Sequence, residues 1–147
     1  MSVSKEELKN YILEFLAKNR RMTLATCKDN IPWASTVLFA YDNDLNFYFL
    51  TKPSTRKAEY LLSNQKVAAA INEYVNKIGY IVGIQLEGTA EMIDKSKNTK
   101  EWQIFRSRFD WAHDYWHESG LFKITPQKIV YLDDEKFGRT GREELEL

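Results

Sequence analysis

Residues 34–62 read ASTVLFAYDNDLNFYFLTKPSTRKAEYLL, and this stretch decides how the rest of the chain is organised. It predicts a strand, a tight polar turn at residues 42–44, a second strand and then a helix. The predicted helix begins with the sequence STRK at residues 54–57, so two hydroxyls and two cations gather there. The first turn of a helix carries N–H groups without intrahelical partners and the positive end of the peptide dipoles. The pattern is therefore typical of an anion site, above all for a phosphate.

Strand-like segments continue on both sides of this stretch. Alternating or β-branched runs between turn residues predict about six strands, at residues 22–26, 33–41, 45–51, 67–74, 78–93 and, as two pieces separated by Pro126, 121–124 and 129–132. Gly83 and Gly88 interrupt the longest run, as glycines do where a sheet bends, and Pro126 suits an edge or a bend. Sequential hairpins with such corners favour a mainly β fold with flanking helices, specifically a six-stranded antiparallel closed or split barrel.

Helical patterns flank the predicted strands. Ser4 and Glu7 have the capping-box spacing ahead of an apolar stripe, which predicts a leading helix that lies on the core. With 147 residues, of which 44% are hydrophobic, the chain is expected to form one domain. Its expected parts are a leading helix (1–20), barrel strands with a short helix near 55–63 (21–94), a helical insertion that acts as a crossover or lid (95–118), a last strand (119–134) and a turn-rich, then acidic, tail (135–147).

Charge and cysteine content exclude several kinds of partner. Lys+Arg and Asp+Glu number 21 each, so no basic field is expected to attract nucleic acid or an anionic membrane. Cys27 is the only cysteine, which excludes an internal disulfide and fits a reducing compartment. No apolar run is long enough to span a bilayer, and the first residues lack the apolar segment of a signal peptide. We therefore expect a cytoplasmic protein.

The order of these motifs resembles a known family. The segments STVLFAYD, FYFLT, STRKAEYLLSNQKVA and GIQLEGTAEMI, within residues 22–132, are similar to the pyridoxamine 5'-phosphate oxidase-like, FMN-binding split-barrel flavoproteins. The likeness is strongest at Thr55-Arg56-Lys57, where members carry a hydroxyl residue followed by basic residues that hold the FMN phosphate. The resemblance implies FMN as cofactor, oxidoreductase chemistry on an unknown small-molecule substrate, and a homodimer with two flavin sites at its interface.

The resemblance also implies which residues bind the cofactor. They are Ser35, Thr36, Val37 and Leu38 beside the isoalloxazine ring, largely through backbone groups; Leu50 and Thr51 beside the ribityl chain and phosphate; Thr55, Arg56 and Lys57 around the phosphate; and Gln85 near the ring. Without the family context, residues 54–57 are an ordinary solvated helix start with Ser54 as the N-cap. Gln85 alternates with Glu87, Thr89 and Glu91, which is equally typical of a wet sheet face.

Two departures argue against the best-known reaction of the family. Where the vitamin-converting oxidases carry basic residues at the two ends of the second-strand motif, this chain has Ser35 and Ala40. Those oxidases also carry a C-terminal motif of an aromatic residue followed by an arginine-bearing segment. This chain matches that motif only in part, at Tyr131, residues 137–139 and Arg142. The chain is therefore closer to the short, general-stress-type or uncharacterised branch of the superfamily.

Other candidate sites are weaker. His113 and His117 have the i, i+4 spacing that can bind a metal from a helix, but no third ligand is identifiable, so no metal site is predicted. Aromatic residues in the insertion, among them Trp102 and Phe105, suit a core or a dimer contact as well as a ring-binding surface. Two further classes stay open: a flavin- or haem-binding sensor without turnover, and a small-barrel nucleic-acid binder that stacks bases on the aromatic residues 47–49.

Overall fold

A computed structural model describes residues 3–139 and 141–147 of the chain, and an antiparallel sheet dominates it. Its seven strands are β1 (Arg21–Lys28), β2 (Ile31–Tyr41), β3 (Phe47–Thr51), β4 (Lys66–Glu73), β5 (Val82–Ile93), β6 (Gly120–Asp133) and β7 (Arg142–Glu146). The helices are α1 (Lys5–Lys18), α2 (Arg56–Ser63), α3 (Thr99–Arg108), the 3-10 helix Asp110–Tyr115 and α4 (Asp134–Phe137). Within the described residues, none of these helices is long and apolar enough to cross a bilayer.

Six strands close into a barrel in the order β3-β2-β1-β4-β5-β6, and β6 pairs back onto β3. This confirms the predicted fold class. The closure is incomplete on both sides of β3. β2 pairs with β3 only through residues 39–41, and β6 pairs with β3 only through residues 120–124 before it pairs with β7 from residue 128 onwards. Residues 31–38 of β2 therefore have a strand partner, β1, on one side only.

Local sequence explains the turns that set this register. Asp29 and Asn30 both have positive φ, 51° and 64°, and form the two-residue turn between β1 and β2, a conformation that Asn and Asp tolerate well. In the next turn the Asp42 carboxylate accepts hydrogen bonds from the backbone N–H groups of Asp44 and Asn46 and from the Tyr48 hydroxyl. Burial opposes ionisation of Asp42, but these hydrogen bonds prevail and lower its pKa.

The core has two parts. α1 is capped by the Ser4 hydroxyl, as predicted, and buries Leu8, Ile12, Phe15 and Leu16 against the barrel interior. A second cluster lies between the barrel and the insertion, and comprises Ala40, Tyr48, Trp102, Phe105, Phe109, Ala112 and Leu121. The aromatic residues at 102, 105 and 109 are thus core residues, one of the three roles that their spacing allowed.

The structure corrects two of the predicted strands and adds detail to the insertion and the tail. β6 is one continuous strand, and Pro126 lies inside it at a bulge, where the register with β5 shifts between Glu87 and Gly88. A Cβ on Gly88 would lie 2.3 Å from the carbonyl oxygen of Thr125, so this close approach requires glycine. Residues 78–81 precede β5 instead of belonging to it. The helical insertion consists of α3 and a 3-10 helix, and the tail contains α4 and β7.

Candidate functional site

The end of β3 and the start of α2 are joined by a short polar connection. Thr55, not Ser54, is the N-cap of α2, because its hydroxyl accepts the backbone N–H of Ala58 at 3.4 Å. The same hydroxyl donates to the Lys52 carbonyl and lies 3.2 Å from the hydroxyl of Thr51. Three of the predicted phosphate residues, Thr55, Arg56 and Lys57, therefore lie together with Thr51. We call these four residues the cradle.

Arg56 is held in place by two aromatic side chains. Its guanidinium carbon lies 4.0 Å from the centroid of the Trp33 ring, which is the geometry of a cation–π contact. Its Nε and Nη2 atoms donate to the Tyr60 hydroxyl at 3.2 and 2.9 Å. Nη1 makes no hydrogen bond within the described residues, so the guanidinium is oriented while part of its donor edge stays available for an anion.

Lys57 is a half-buried cation without a counter-charge. Within residues 3–139 and 141–147 its ammonium group makes no hydrogen bond or ion pair. Burial lowers its pKa, because the charged form is poorly solvated there. A phosphate beside this group would restore the favourable interactions that the ammonium loses on burial.

The predicted ring segment of β2 alternates between two environments. Val37 is buried in the barrel, Thr36 is exposed and Leu38 is half-buried. The backbone N–H of Phe39 donates to Arg20, on the β1 side of the strand. Backbone N–H and C=O groups alternate in direction along a strand, so those of Thr36 and Leu38 point away from β1. On that side β3 pairs with β2 only from residue 39 onwards, so these groups have no strand partner among the described residues.

Ser35 supplies a further unsatisfied group next to this segment. Its hydroxyl oxygen is buried and has no hydrogen-bond partner within the described residues. A buried hydroxyl without a partner is costly, and such groups are rare in folded proteins. The residues present therefore fit a polar ligand, because Ser35 and Lys57 both lack the partners that such a ligand would provide.

Gln85 is not brought next to the ring segment of β2 at Thr36 within one chain. Its side chain is exposed on the outer face of β5, in a cross-strand row that runs from Thr36 through Thr23 and Ala70 to Gln85. Three strand spacings separate Gln85 from Thr36, a distance of about 14 Å. The prediction that Gln85 binds the flavin stays untested.

The insertion forms a cleft with the end of β3. The cleft has a volume of about 480 Å³, and we call it the insertion cleft; its lining residues are Leu50, Thr51, Lys52, Trp111, Asp114, Tyr115 and Ser119. Leu50 and Thr51 were predicted to lie at the cofactor. Thr51 also belongs to the cradle, so the cleft and the cradle are adjacent.

Sequence reasoning missed the two residues that orient Arg56. Tyr60 follows Arg56 by four positions, a spacing that places two side chains on one helical face, so this contact had a local signal. Trp33 lies 23 positions earlier on β2, and no pattern along the chain connects it to α2. Its contact follows from the way the β1–β2 hairpin lies against α2, where Lys28 also pairs with Glu59 at 3.1 Å.

The remaining sequence candidates do not assemble into a metal or thiol site. His113 and His117 are exposed on the insertion. The described residues contain no group of three or more His, Cys, Asp or Glu side chains placed to hold a metal ion. Cys27 is a free, half-buried cysteine.

Comparisons with known proteins agree with the fold. The sequence model of the family described as pyridoxamine 5'-phosphate oxidase matches residues 8–133. A UPF0306 protein of Klebsiella pneumoniae is 24% identical over 121 residues, which cover 82% of this chain and 81% of that protein.

Two solved structures have the same architecture. The haem-binding protein of Mycobacterium smegmatis superposes with a TM-score of 0.79 at 16% identity, and the match covers 99% of this chain and 59% of that one. A FAD-binding protein of Mesorhizobium loti superposes with a TM-score of 0.69 at 20% identity, covering 82% and 90% of the two chains. At these identities the likeness shows the shared fold.

Proposed function

Because the chain belongs to the pyridoxamine 5'-phosphate oxidase family, we propose that it is an FMN-binding flavoprotein and an oxidoreductase. The observation that carries the proposal is the cradle. It combines a hydroxyl-capped helix start, an oriented guanidinium with spare donors and a half-buried ammonium without a counter-charge. A phosphate monoester, with two negative charges and several acceptor oxygens, matches these groups.

Each part of the site has its own task in this proposal. Arg56 and Lys57 bind the phosphate, and the Thr55 hydroxyl, which caps α2 and contacts Thr51, fixes the helix start that carries them. The backbone of Thr36 and Leu38 binds the ring or the ribityl chain, since these groups lie on the side of β2 that β1 does not cover. The Ser35 hydroxyl, which is buried without a partner within the described residues, binds the same part of the cofactor. When bound, FMN supplies the capacity for hydride and single-electron transfer. The chain itself holds the cofactor and excludes water from one side of it.

The reaction that gives the family its name is not the activity that we propose. Ala40 occupies the position where a second basic residue would hold a substrate phosphate, and it is buried under the insertion. Tyr131, part of the echoed C-terminal motif, is buried in the core and donates to Asp133 at 3.0 Å. Neither residue is available to a phosphorylated substrate.

We further propose that the active unit is a homodimer. The outer faces of β1, β2 and β4 carry small side chains at neighbouring positions, Ala25, Ala34 and Ala68 among them. Such a surface is flat enough for close contact with a second copy, and Gln85 lies on the same outer face. A partner could thus bring a Gln85 to a flavin that the cradle of the first protomer holds.

The cofactor is tested by titration of the purified full-length protein with FMN, riboflavin and haem, followed by absorption and by the melting temperature. We expect flavin absorption, a melting temperature that rises with FMN, and affinity for FMN at least tenfold above that for riboflavin. Binding of haem with no binding of FMN would favour the haem-binding alternative on the same barrel. A protein that binds neither would contradict both.

A further inference from the structure

The insertion cleft has a wall made of two aromatic side chains. Trp111 is 41% exposed and Tyr115 is 45% exposed, whereas Trp102 in the same insertion is buried. The Trp111 and Tyr115 rings are 5.9 Å apart and nearly perpendicular. Exposed aromatic rings that line a concave surface are typical of a binding site for a planar ring.

This wall is fixed before any ligand arrives. Trp111 packs against Phe109 and Phe105, with ring centroids 5.5 and 6.4 Å away, and neighbouring Ala112 is fully buried. Lys95 donates to the carbonyl oxygens of Trp116 and Ser119, which lie just after the 3-10 helix. The Trp111 ring is therefore held in place by the fold, which lowers the entropic cost of binding.

Two other residues that line the cleft offer hydrogen-bond donors. Ser119 is only 8% exposed. Lys95 donates to its carbonyl oxygen, whereas its hydroxyl makes no hydrogen bond within the described part of the chain. The Lys52 ammonium has one ionic neighbour, Glu118, at 4.0 Å, which leaves it free to donate elsewhere. A ligand that carries acceptor oxygens would satisfy both groups.

The charged residues around the cleft do not favour an anionic ligand. Lys52 is accompanied by Asp114 on the lining and by Glu118 beside it. Lys95, which donates to the Ser119 carbonyl, is a second cation at the cleft. Two positive and two negative groups leave no net attraction for a carboxylate or a phosphate. The cradle, with two cations and no carboxylate partner within the described residues, has a net positive charge instead.

We propose that the insertion cleft is a second ligand site and that it binds a neutral molecule with a planar, conjugated ring bearing carbonyl acceptors. Its ring lies against Trp111 and Tyr115, and its carbonyl oxygens accept from Ser119 and Lys52. Because Thr51 lines the cleft and belongs to the cradle, the molecule is placed beside the cofactor. The role of this molecule as a substrate of the flavoprotein rests on the function proposed above. Its binding to the cleft does not depend on that function.

Duroquinone tests the site, because it is a neutral planar quinone whose ring positions are all substituted and so resist addition of the Cys27 thiol. Equilibrium dialysis of the full-length protein measures binding without FMN. We expect the double variant Trp111→Ala, Tyr115→Ala to bind at least tenfold more weakly, because both contact rings are lost. Tyr74→Ala, which removes an exposed tyrosine from the loop before β5, is the matched control and leaves binding unchanged.

Two further arms test the ligand class and the location. Naphthalene-2-carboxylate, an anionic planar ring, should bind at least tenfold more weakly than duroquinone. Equal affinity of duroquinone for the wild type and the double variant would overturn the site, and preference for the carboxylate would overturn the ligand class. Competition between FMN and duroquinone would show one shared site and would also overturn the proposal. Failure of FMN to bind would contradict the cofactor assignment alone.

Discussion

Two pairs of cations in this protein lack carboxylate partners within the described residues, and they differ in what they bind instead. The cradle pair is Arg56 and Lys57 at the start of α2. The insertion pair is Lys95, at the start of the insertion, and Arg108, at the end of α3. Arg108 donates to the carbonyl oxygens of Leu16, Asn19 and Phe39, and Lys95 donates to two carbonyls. In the cradle pair, Arg56 has one phenol as hydrogen-bond acceptor and Lys57 has none.

The difference separates a structural cation from a binding cation. Arg108 sits over the rings of Phe39 and Tyr41 and satisfies carbonyl groups at the end of α1, so it attaches the insertion to the barrel. Its donors are largely used within the fold. The cradle pair has N–H donors that make no hydrogen bond within the described residues, and they lie at a helix start, where an anion is favoured. The cations of both pairs are half-buried or stacked on aromatic rings, so burial alone does not distinguish the structural pair from the binding pair.

Removal of a structural cation should have the largest effect on stability. Arg108→Met breaks hydrogen bonds to three carbonyls and is expected to lower the free energy of unfolding by about 3 kcal/mol, because buried acceptors lose a charged donor. Urea unfolding measures the change. Arg106→Met, on the exposed side of the same helical turn, is the control and should change stability by less than about 0.5 kcal/mol. A matching loss in both variants would contradict the structural role.

The orientation of Arg56 should affect FMN and not riboflavin. Tyr60→Phe removes the acceptor that holds Nε and Nη2 and is expected to weaken FMN binding by about tenfold, since the guanidinium regains its freedom. Riboflavin lacks the phosphate, so its affinity should stay the same. Tyr74→Phe, in the exposed loop, is the matched control. Stronger FMN binding by Tyr60→Phe would mean that the phenol competes with the phosphate for the guanidinium.

The pH dependence of FMN binding should report on Lys57. Burial holds the pKa of Lys57 below its ordinary value, and only the protonated form attracts a phosphate. FMN affinity is therefore expected to be highest below this pKa and to fall, by less than about tenfold, as the pH rises through it. Flavin titrations between neutral and alkaline pH measure this, with riboflavin as the control for ionisation of the ring. An unchanged FMN-specific fall in Lys57→Met would assign the titration to another group.

The sequence predicts those parts of the structure that depend on neighbouring residues. Ser4 caps α1, Asp29 and Asn30 form the hairpin turn, and Thr55 to Lys57 start a helix after a strand. Each of these signals lies within a few positions along the chain. The register of the barrel follows from such turns together with alternation, and so the fold class was predictable.

The features that the sequence missed depend on contacts between distant segments. β7 has the sequence REELE and buries only Leu145, so it lacks the alternation of apolar residues that predicts a strand. It forms because the part of β6 beyond its pairing with β3 has a free edge, with which β7 pairs. Pro126 is tolerated in β6 because Gly88 on β5 makes room for a bulge. The contact of Trp33 with Arg56 likewise joins two elements that only the folded chain brings together.

The comparison between the two cation pairs is tested most directly by the preference for FMN over riboflavin. We expect the wild type to prefer FMN by about 3 kcal/mol, the contribution of two charge-assisted contacts to the phosphate. Arg56→Ala together with Lys57→Ala should abolish most of this preference and leave the FMN-free protein folded, with only a small loss of stability from the Trp33 and Tyr60 contacts of Arg56. An equal preference for FMN in the wild type and the double variant would contradict the assignment of the cradle.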